Sequence, residues 1–574
     1  MSGFIPHRSH WGVFSAQGRP DGRIDIRPLA DDPDPSPMLA NFADAARHRM
    51  RIARPAIRRG WLDNGPGSNE RRGRDEFVEV DWREALDLLA AEIKRVRGQF
   101  GSSAIFGGSY GWSSAGRFHH AQSQVHRFLN VTGGYVRSVN SYSAGAAHVI
   151  VPHVIGPFEE ISRGCVKWGE IVEHSDLIVC FGGMAAKNTM VSPGGPSRHL
   201  PLASMTEARR SGTRFVLVSP LRDDLPAELD AAWLPIKPGT DTALMLALAH
   251  TLAKRGLVDK VFIDRYCEGY EVFHDYLFGA KDGEPEKTAE WASAITRIPP
   301  EAIVKLALDM AGRRTLLTVS QSLQRGEHGE QPVWMAITLA AMLGQIGLPG
   351  GGVSYGLGSM ADIGAPTLAV PLPTLPQGVN PVPDYIPVAR IADMLLNPGD
   401  AYSYNGHRLR YPDIKLVYWA GGNPFHHHQD LNRLRRAFRK PDTIVVHESA
   451  WTATARHADI VLPATLTLER SDIGAAAYDP LMVAMHPVVE PYAQAKDDYE
   501  IFSLLSRRLG VESEFTEGRS VMDWLRTMYE RTRSAMEQAG HSAPDFDEFW
   551  ARGKLVLPTK PATGGMLGDF RHDP

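Results

Sequence analysis

The chain has 574 residues, a formal net charge of −4 and 22% charged residues, an ordinary globular balance. A weakly acidic chain without a basic block does not fit proteins that bind nucleic acid through its phosphates. No apolar run reaches the roughly 18 residues of a membrane span, and the N-terminus MSGFIPHRSHWGVF has neither a secretory nor a twin-arginine signal. Three cysteines without a CxxC pair exclude a disulfide framework and a zinc or iron–sulfur motif. Composition therefore predicts a soluble cytoplasmic protein of several domains.

The first elements in chain order are an irregular N-terminus and a long helix. Residues 1–60 are polar and contain the stretch DDPDPSP (31–37), which disfavours regular structure. A helix is predicted after Asp81, because the apolar residues at 82, 85, 86, 89, 93, 96 and 100 lie on one face. Asp81 and Glu84 resemble a capping box at its start.

Further along, short apolar runs alternate with helical patterns. Five of these runs have the length of strands and end in Gly, Pro or polar clusters: 177–183, 214–220, 315–320, 415–422 and 443–448. Continuous apolar strands separated by helices are typical of parallel sheets covered on both faces. The run 334–348 is predicted to be a buried helix. The chain is therefore predicted to be an α/β protein.

Two predicted strands are followed by the same kind of loop. In both 177–188 and 416–429, an apolar run is followed by Gly-Gly and then by a polar loop. Ligands of open α/β sheets bind beyond the carboxyl ends of the strands, so two α/β domains could each hold part of one large polar ligand. Alternatively, Gly-Gly only ends each strand. Between them, residues 366–387 contain seven prolines, which predicts an extended connector over the surface.

Local motifs leave the chemistry open. No P-loop occurs, and GLGSMA (356–361) leads into the proline-rich connector, so it lacks the helix N-terminus that a pyrophosphate needs. GGSYG (107–111) matches a nucleophile elbow and would make Ser109 a hydrolase nucleophile, or it is a glycine-rich strand end. HHH (426–428) could bind a metal or a phosphate, or could be a solvated cluster. Ser143 could be a helix N-cap, which the local sequence favours, or a metal ligand.

Longer motifs carry a family resemblance. From YGWSSAGR (110–117) and NSYSAGAA (140–147) onward, the chain resembles the molybdopterin oxidoreductases of the dimethyl sulfoxide reductase family. The match continues, in order, through WLPIKPGTD (233–241), SLQRGEHGEQP (322–332), LAAMLGQIGLPGGG (339–352), GGNPFHHHQD (421–430), WTATARHADIVLPAT (451–465) and LERSDIG (468–474). The nearest branch includes biotin sulfoxide, dimethyl sulfoxide and trimethylamine N-oxide reductases, and the absence of an export signal and of N-terminal cysteines favours its cytoplasmic members without an iron–sulfur cluster.

The resemblance implies an oxygen-atom-transfer reductase with molybdenum held by two molybdopterin guanine dinucleotides. Reduced metal takes oxygen from an S-oxide or N-oxide, and the cofactor carries this chemistry while the protein positions it. Ser143 matches the ligand of molybdenum, and Tyr110 and Trp112 match residues that flank the substrate oxygen, with Tyr110 as a hydrogen-bond donor. The positions that match cofactor contacts are Tyr110, Gly111, Trp112, Ser113, Lys187, Asn188, Ser219, Gly239, Thr240, Asp241, Ser322, Arg325, Asn423, His427, Glu448, Arg470 and Glu500.

Two of these positions have a more specific implied role. Asp241 matches a carboxylate that pairs with one guanine base. Glu448 stands where relatives usually place Asp, and it would recognise the other guanine with a longer side chain. In HHH the resemblance favours contact with the cofactor through His427 over direct binding of the metal.

The expected architecture is two Rossmann-like αβα domains with parallel sheets around the cofactor. The predicted divisions are an N-terminal irregular or β region (1–60), a discontinuous α/β domain (61–155 with 388–510), a second α/β domain (156–350), a Pro/Gly-rich connector (351–387), and a helical segment with a tail (511–574). The electron donor is expected to be NADPH-linked or a small redox protein.

Length is the main departure from the family pattern. Relatives of this branch are some two hundred residues longer, and their additional C-terminal domain closes over both pterins. Its absence would expose more apolar surface than a soluble monomer tolerates. We therefore expect weak cofactor binding by the chain alone and completion of the enzyme by a separate C-terminal polypeptide; the alternative is a truncated, catalytically silent fragment.

Overall fold

The computed structural model describes residues 3–281, 283–560 and 565–574. Within these ranges no helix is long and apolar enough to cross a membrane. The α-helices, in chain order, are Phe42–Ala45, Arg59–Asn64, Trp82–Phe100, Ala121–Val131, Gly145–Val154, Trp168–His174, Pro201–Arg210, Asp241–Lys254, Lys260–Tyr266, Tyr270–Leu277, Ala289–Thr296, Pro300–Ala311, Glu330–Met342, Ile391–Leu396, Pro424–His427, Leu431–Ala437, Ala453–Arg456, Asp498–Leu509, Glu512–Thr516, Val521–Gln538, Phe546–Arg552 and Gly568–His572.

The long helix predicted after Asp81 is confirmed as Trp82–Phe100. The Asp81 carboxylate accepts the backbone N–H of Glu84 at 2.8 Å, which satisfies one of the free donors of the first turn. Leu86, Leu89 and Ile93 of the predicted apolar face are buried. The helix therefore packs along the stripe that its sequence spacing defines.

Five strands form a fully parallel sheet in the middle of the chain. Their order across the sheet is Ala232–Leu234, Arg214–Val218, Leu177–Phe181, Thr315–Val319 and Gly352–Tyr355. Helices Asp241–Lys254 and Glu330–Met342 belong to the large apolar core built around this sheet. The strand at 177, whose five residues are all buried, is central, as a continuous apolar run predicts.

A second, larger sheet is assembled from two distant parts of the chain. Its order is Tyr385–Pro387, Val136–Val139, Ile105–Gly108, Leu416–Ala420, Thr443–Glu448, Ile460–Pro463, Ala56–Arg58 and Phe77–Glu79. The first six strands are parallel to one another, and Ala56–Arg58 is antiparallel to both of its neighbours, so Phe77–Glu79 again runs in the direction of the first six. The smaller sheet is thus formed by residues that lie between the two halves of the larger one, and the predicted α/β class is confirmed.

The N-terminal region, predicted to be irregular or β, contains β structure, and the proline-rich connector differs from its predicted character. The N-terminal region holds an antiparallel sheet, Ile5–Ser9, Gly12–Gly18 and Ile24–Pro28. The Pro/Gly-rich connector 351–387 gives a strand to each large sheet, and its part 366–387, predicted to lie over the surface, buries Leu368, Val370 and Leu375. Proline prevents regular pairing here, but the leucines and valines between the prolines still bury apolar surface, which the proline count did not reveal.

The C-terminal part continues this packing. The smaller antiparallel sheets are Ala401–Tyr404 with His407–Arg410, and Asp472–Ala476 with Asp479–Met485 and Lys554–Val556. The predicted tail contains helix Gly568–His572, and residues 561–564 lie outside the described ranges.

A buried ionic cluster joins the edge of the larger sheet to its neighbours. Asp459, fully buried, accepts hydrogen bonds from the guanidinium groups of Arg58 at 2.7 Å and Arg72 at 2.5 Å, and from the backbone N–H of Ile444 at 2.8 Å. Arg58 also contacts Asp75 at 3.1 Å. The network thus contains two guanidinium groups and two carboxylates, which compensate one another's charges within the protein.

Replacing Asp459 with Asn leaves two buried guanidinium groups without their shared carboxylate. Breaking a buried ion pair from one side destabilises a protein by about 3–5 kcal/mol, and we expect a loss of that size in urea unfolding. The control is Asp547→Asn, because Asp547 pairs with Arg526 on an exposed surface and such pairs contribute little. Equal effects of the two substitutions would contradict a structural role for the cluster.

Candidate active site

The predicted site residues follow the carboxyl ends of strands in both large sheets. In the larger sheet they come after the strands that end at Gly108, Val139, Ala420, Glu448 and Pro463. In the smaller sheet they come after the strands that end at Phe181, Val218, Leu234 and Val319. Parallel strands present their carboxyl ends at one edge, which is where ligands of such sheets bind.

Tyr110 lies where the first of these strands leaves the larger sheet. Its backbone N–H donates to the carbonyl of Gly421 at 2.9 Å, and its ring packs at right angles to Trp419 and His427, with centroids 5.0 and 4.7 Å away. Gly422 makes this approach possible: its φ is +86°, and a Cβ there would lie 2.7 Å from the Cβ of Tyr110. The Gly-Gly pair therefore does more than end a strand.

The Tyr110 hydroxyl has a partner that the sequence did not reveal. It lies 2.9 Å from Nε2 of His428, whose Nδ1 is 3.0 Å from the hydroxyl of Tyr142. Burial lowers the pKa of His428 to about 4. His426 and His427 are exposed while His428 is buried, so the triple-histidine motif contains two environments that its spacing alone does not separate.

Ser143 lies in the turn before helix Gly145–Val154 and is exposed. Its backbone carbonyl accepts the side-chain amide of Gln324 at 3.2 Å and the hydroxyl of Tyr355 at 3.1 Å. Gln324 also accepts the backbone N–H of Ala146 through Oε1 at 2.8 Å. A buried side chain that follows a strand of the smaller sheet thus holds the turn that carries Ser143.

The local interpretation of Ser143 as a helix cap is wrong. The N-cap position belongs to Ala144, and the backbone N–H of Ala144 is accepted by the hydroxyl of Ser141 at 3.3 Å. Ser141 therefore stabilises the turn before the helix, while the helix itself has no side-chain cap. The Ser143 hydroxyl is left on the exposed side of the turn.

Trp112 and Ser113 lie in the short turn Gly111–Ser113. The indole of Trp112, 46% exposed, meets the ring of His10 edge to face, with centroids 5.9 Å apart. His10 lies in the tight turn of the N-terminal sheet, so this sheet reaches the candidate site. Gly111 is required by close packing, because a Cβ there would lie 2.6 Å from Gln122.

The smaller sheet places its predicted residues around its own carboxyl edge. Lys187, Asn188 and Arg325 are exposed, and the hydroxyls of Ser322 and Ser320 are 2.5 Å apart. Ser219 differs, because it is buried and its hydroxyl donates to Asp224 at 2.5 Å. The side chain of Ser219 is therefore already engaged within the protein.

Two carboxyl groups at these edges are held away from water. Asp241 is 5% exposed, begins helix Asp241–Lys254, and has no hydrogen-bond partner at Oδ1 within the described part of the chain; burial raises its pKa to about 6. Glu448 accepts the backbone N–H of Ser449 and the hydroxyl of Thr452, and desolvation raises its pKa to about 7. Gly239 and Thr240 form the turn before Asp241, with φ of +76° at Gly239.

The remaining predicted residues lie on the larger sheet's side. Arg470 donates to the carbonyl and hydroxyl of Thr465 and to the carbonyl of His119, all neutral oxygens. The amide oxygen of Asn423, which is buried, accepts the hydroxyl of Thr454. Glu500 is exposed in the first turn of helix Asp498–Leu509 and pairs with Lys496.

Two alternative chemistries lose their structural basis. Ser109 is buried, and its hydroxyl faces the carbonyl of Gly421 at 3.5 Å, whereas a nucleophile elbow presents an exposed serine. No group of three His, Cys, Asp or Glu side chains able to hold a metal occurs among the described residues. A hydrolase serine and an all-protein His site therefore receive no support from this geometry.

Comparison with known families decides the class of protein. The pattern of the molybdopterin oxidoreductases matches residues 51–508, and that of their N-terminal domain matches residues 7–47. The chain belongs to the molybdopterin oxidoreductase family. As a member of this family it is an oxidoreductase, and the family implies molybdenum bound to molybdopterin.

Individual relatives agree over nearly the whole chain. Biotin sulfoxide reductase from Cereibacter sphaeroides is 46% identical over 96% of this chain and 74% of that protein. Dimethyl sulfoxide/trimethylamine N-oxide reductase from the same organism is 42% identical over 100% of this chain and 71% of that protein. Trimethylamine-N-oxide reductase from Haemophilus influenzae is 42% identical over 99% and 70%.

A solved structure shares the fold. Acetylene hydratase from Pelobacter acetylenicus superimposes with a TM-score of 0.64 over 96% of this chain and 74% of that chain, at 18% identity. At this identity the likeness concerns the fold alone.

The buried carboxyl of Glu448 makes stability depend on pH. Because its folded pKa of about 7 lies above the ordinary value of 4.5, the folded chain binds more protons than the unfolded chain between these values. Stability from this group is present at low pH and decreases as pH rises through 7. Glu448→Gln should remove that part of the slope in melting temperature measured from pH 5 to pH 8.

A second substitution distinguishes the pH dependence due to Asp241 from the pH dependence due to Glu448. Asp241→Asn should change the slope over a lower window, between about pH 4 and pH 6, because burial raises the pKa of Asp241 to about 6. If Glu448→Gln leaves the curve between pH 6 and pH 8 unchanged, the desolvation of this carboxyl is contradicted.

Proposed function

We propose that this chain reduces S-oxides or N-oxides to the corresponding sulfide or amine, at molybdenum held by two molybdopterin guanine dinucleotides. The observation that carries the proposal is the joint placement of Tyr110 and the Ser143 turn, linked through His428 and Tyr142 on one side and held by Gln324 on the other. The relatives named as biotin sulfoxide reductase and as dimethyl sulfoxide/trimethylamine N-oxide reductase support the substrate class.

The carboxyl edges of the two sheets fit the nucleotide halves of such a cofactor. Guanine presents N–H donors along one edge, and the unpaired Oδ1 of buried Asp241 is an acceptor of that kind. A raised pKa marks a carboxyl whose charge is poorly solvated, and donors from a base would compensate it. Glu448 in the other sheet shares the raised pKa, although both of its carboxylate oxygens already accept hydrogen bonds, from Ser449 and Thr452; we assign the second guanine to it.

Other residues fit the charged and polar parts of the cofactor. Arg470 is bonded to neutral oxygens and Lys187 and Arg325 are exposed at the strand ends, so their charges are available for phosphates. Ser219 and Asn423 are engaged with Asp224 and Thr454, so we assign contacts there to backbone groups or to rearranged side chains. Glu500 is assigned a supporting contact through its pair with Lys496.

A bound molybdenum centre would supply the two-electron exchange and the acceptor for the substrate oxygen. The chain's own contribution is positional. The exposed Ser143 offers its side-chain oxygen as a metal ligand from a turn fixed by Gln324, and hard metals favour such donors. Tyr110 and Trp112 border the substrate oxygen, with Tyr110 placing a hydroxyl beside it and Trp112 contributing one wall. A fixed geometry of this kind accounts for a large part of enzymatic rate enhancement.

The proposal extends to organisation and partners. We propose a discontinuous domain at 61–155 with 388–510 and a second domain at 156–350; most strands of the two large sheets lie within these bounds, and Ala56–Arg58, Gly352–Tyr355 and Tyr385–Pro387 lie just outside them. An electron donor, NADPH-linked or a small redox protein, has to return two electrons in each cycle. The chain spans 74% and 71% of the length of two of its relatives, and the proposal keeps the partner polypeptide that the family resemblance implies.

Replacing Ser143 with Ala removes the proposed metal ligand. We expect loss of S-oxide and N-oxide reduction, measured with reduced viologen dye as electron donor, while urea unfolding stays within about 0.5 kcal/mol of the wild type because the side chain is exposed. The control is Ser109→Ala, whose hydroxyl faces Gly421 and should not affect reduction. Activity that survives Ser143→Ala would overturn the ligand assignment.

Measuring the metal and pterin content of the purified protein tests two hypotheses: that a partner polypeptide completes the enzyme, and that the chain is catalytically silent. We expect guanine-containing pterin and molybdenum to be retained more fully when a polypeptide matching the rest of the relatives is co-produced. Asp241→Asn should lower the guanine content, because it removes an acceptor charge. Full molybdenum occupancy and turnover of the chain by itself would contradict the need for a partner, and absence of pterin under both conditions would contradict the reductase assignment.

A further inference from the structure

The hydrogen bonds around His428 define a role for a residue that the family resemblance did not assign. The inference rests on the proposed function, since it concerns the hydroxyl of Tyr110. Three side chains and one carbonyl form a line: Tyr110, His428, Tyr142 and the backbone oxygen of Val388. The distances along it are 2.9 Å from Tyr110 to Nε2, 3.0 Å from Nδ1 to Tyr142, and 3.0 Å from the Tyr142 hydroxyl to Val388.

The direction of each hydrogen bond follows from the end of the line. A carbonyl oxygen only accepts, so the single hydroxyl hydrogen of Tyr142 is donated to Val388. Tyr142 can then only accept from His428, which places the ring hydrogen on Nδ1. A neutral imidazole has one bare nitrogen, so Nε2 accepts the hydrogen of Tyr110.

We propose that His428 is a positioning residue, which in its Nδ1–H form holds the hydroxyl hydrogen of Tyr110 and thereby fixes where the Tyr110 oxygen lies beside the substrate. In this arrangement Tyr110 donates to His428, and its oxygen keeps its lone pairs as acceptors. Donation from Tyr110 to a substrate oxygen requires its hydrogen to leave Nε2. His428 therefore governs when Tyr110 can act as a donor.

Two observations favour positioning over proton delivery. The line ends at the carbonyl of Val388, which has no proton to give, so no proton can enter from that end. His428 itself is 7% exposed, which leaves little contact with bulk water. Its lowered pKa, caused first by burial and then by His427, agrees with a neutral ring at pH 7.

The packing around His428 also fixes the ring. Tyr142 lies edge to face with it at a centroid distance of 5.5 Å, and the backbone N–H of His428 donates to the carbonyl of Pro424 at 3.0 Å. These contacts restrict rotation of the imidazole, so that the tautomer and the direction of Nε2 are set together. A restrained partner is what a positioning role requires.

Nuclear magnetic resonance tests the tautomer without reference to activity. The chain is labelled with ¹⁵N-histidine, and the His428 signals are assigned by their loss in His428→Gln. We expect the ring nitrogens of a neutral imidazole with the hydrogen on Nδ1, and we expect Tyr142→Phe to shift the balance towards Nε2–H. A predominant Nε2–H form, or a doubly protonated ring at pH 7, would overturn the inference.

Kinetics tests the consequence in the cofactor-loaded enzyme. His428→Leu should lower kcat about tenfold, within the range that misplacement of a reacting group produces, with a much smaller change in KM. His428→Gln should recover most of the loss, because its amide oxygen can accept from Tyr110. His426→Ala is the matched control, since His426 is exposed in the same motif and should leave kcat unchanged.

A double-mutant cycle links His428 to Tyr110. If His428 acts through that hydroxyl, His428→Leu should have little further effect in a Tyr110→Phe background, and the two losses should not add. Full additivity would overturn the inference while leaving the proposed function intact. Failure of the wild-type enzyme to reduce any S-oxide or N-oxide would instead reject the proposed function, and the tautomer measurement would still decide the arrangement at His428.

Discussion

One buried amide connects the two halves of the candidate site. Gln324 follows a strand of the smaller sheet, yet its side chain donates to the carbonyls of Tyr142 and Ser143 and accepts the backbone N–H of Ala146. The turn it holds follows a strand of the larger sheet. Because the amide is 5% exposed, water does not compete for these bonds, and the two carboxyl edges stay in register. Every role assigned to Ser143 and Tyr142 depends on this connection.

Much of the fold could be predicted because burial on both faces of a sheet leaves a direct trace in the sequence. The strands at 177, 214, 315, 416 and 443 read as continuous apolar runs and were found within a few residues of their predicted limits. The connector was harder. Prolines at 371, 373 and 376 indicate irregular backbone. Irregular backbone need not lie on the surface, however, and Leu375 between these prolines is buried. Burial and regular structure are separate properties, and the proline count reports only the second.

The site was less predictable than the fold, since its residues act through contacts that join distant parts of the chain. The motifs indicated Tyr110 and Ser143, and their surroundings fit the proposed roles. His428 stood within a run of three similar residues, and only the course of the backbone after Asn423 turns it inward. Ser141 and Ser143 are both suited to cap a helix, yet the N-cap position is Ala144 and the Ser141 hydroxyl accepts only the backbone N–H of that residue. Alternation of exposure inside short loops has no fixed period, so sequence spacing cannot resolve it.

The N-terminal sheet has a consequence for the order of assembly during synthesis. His10 reaches Trp112 from a strand pair whose neighbours lie near the other end of the chain: the ring of His7 bonds to the carbonyl of His486, 479 residues away, and Arg8 contacts Asp479. Contacts this distant in sequence form late. A nascent chain that ends with Ile460–Pro463, a strand of the larger sheet, already contains Trp112. It still lacks residues 479–486, which contact His7 and Arg8 in the same small sheet as His10. The packing of His10 against Trp112 is thus completed only after the residues at 479–486 have been made.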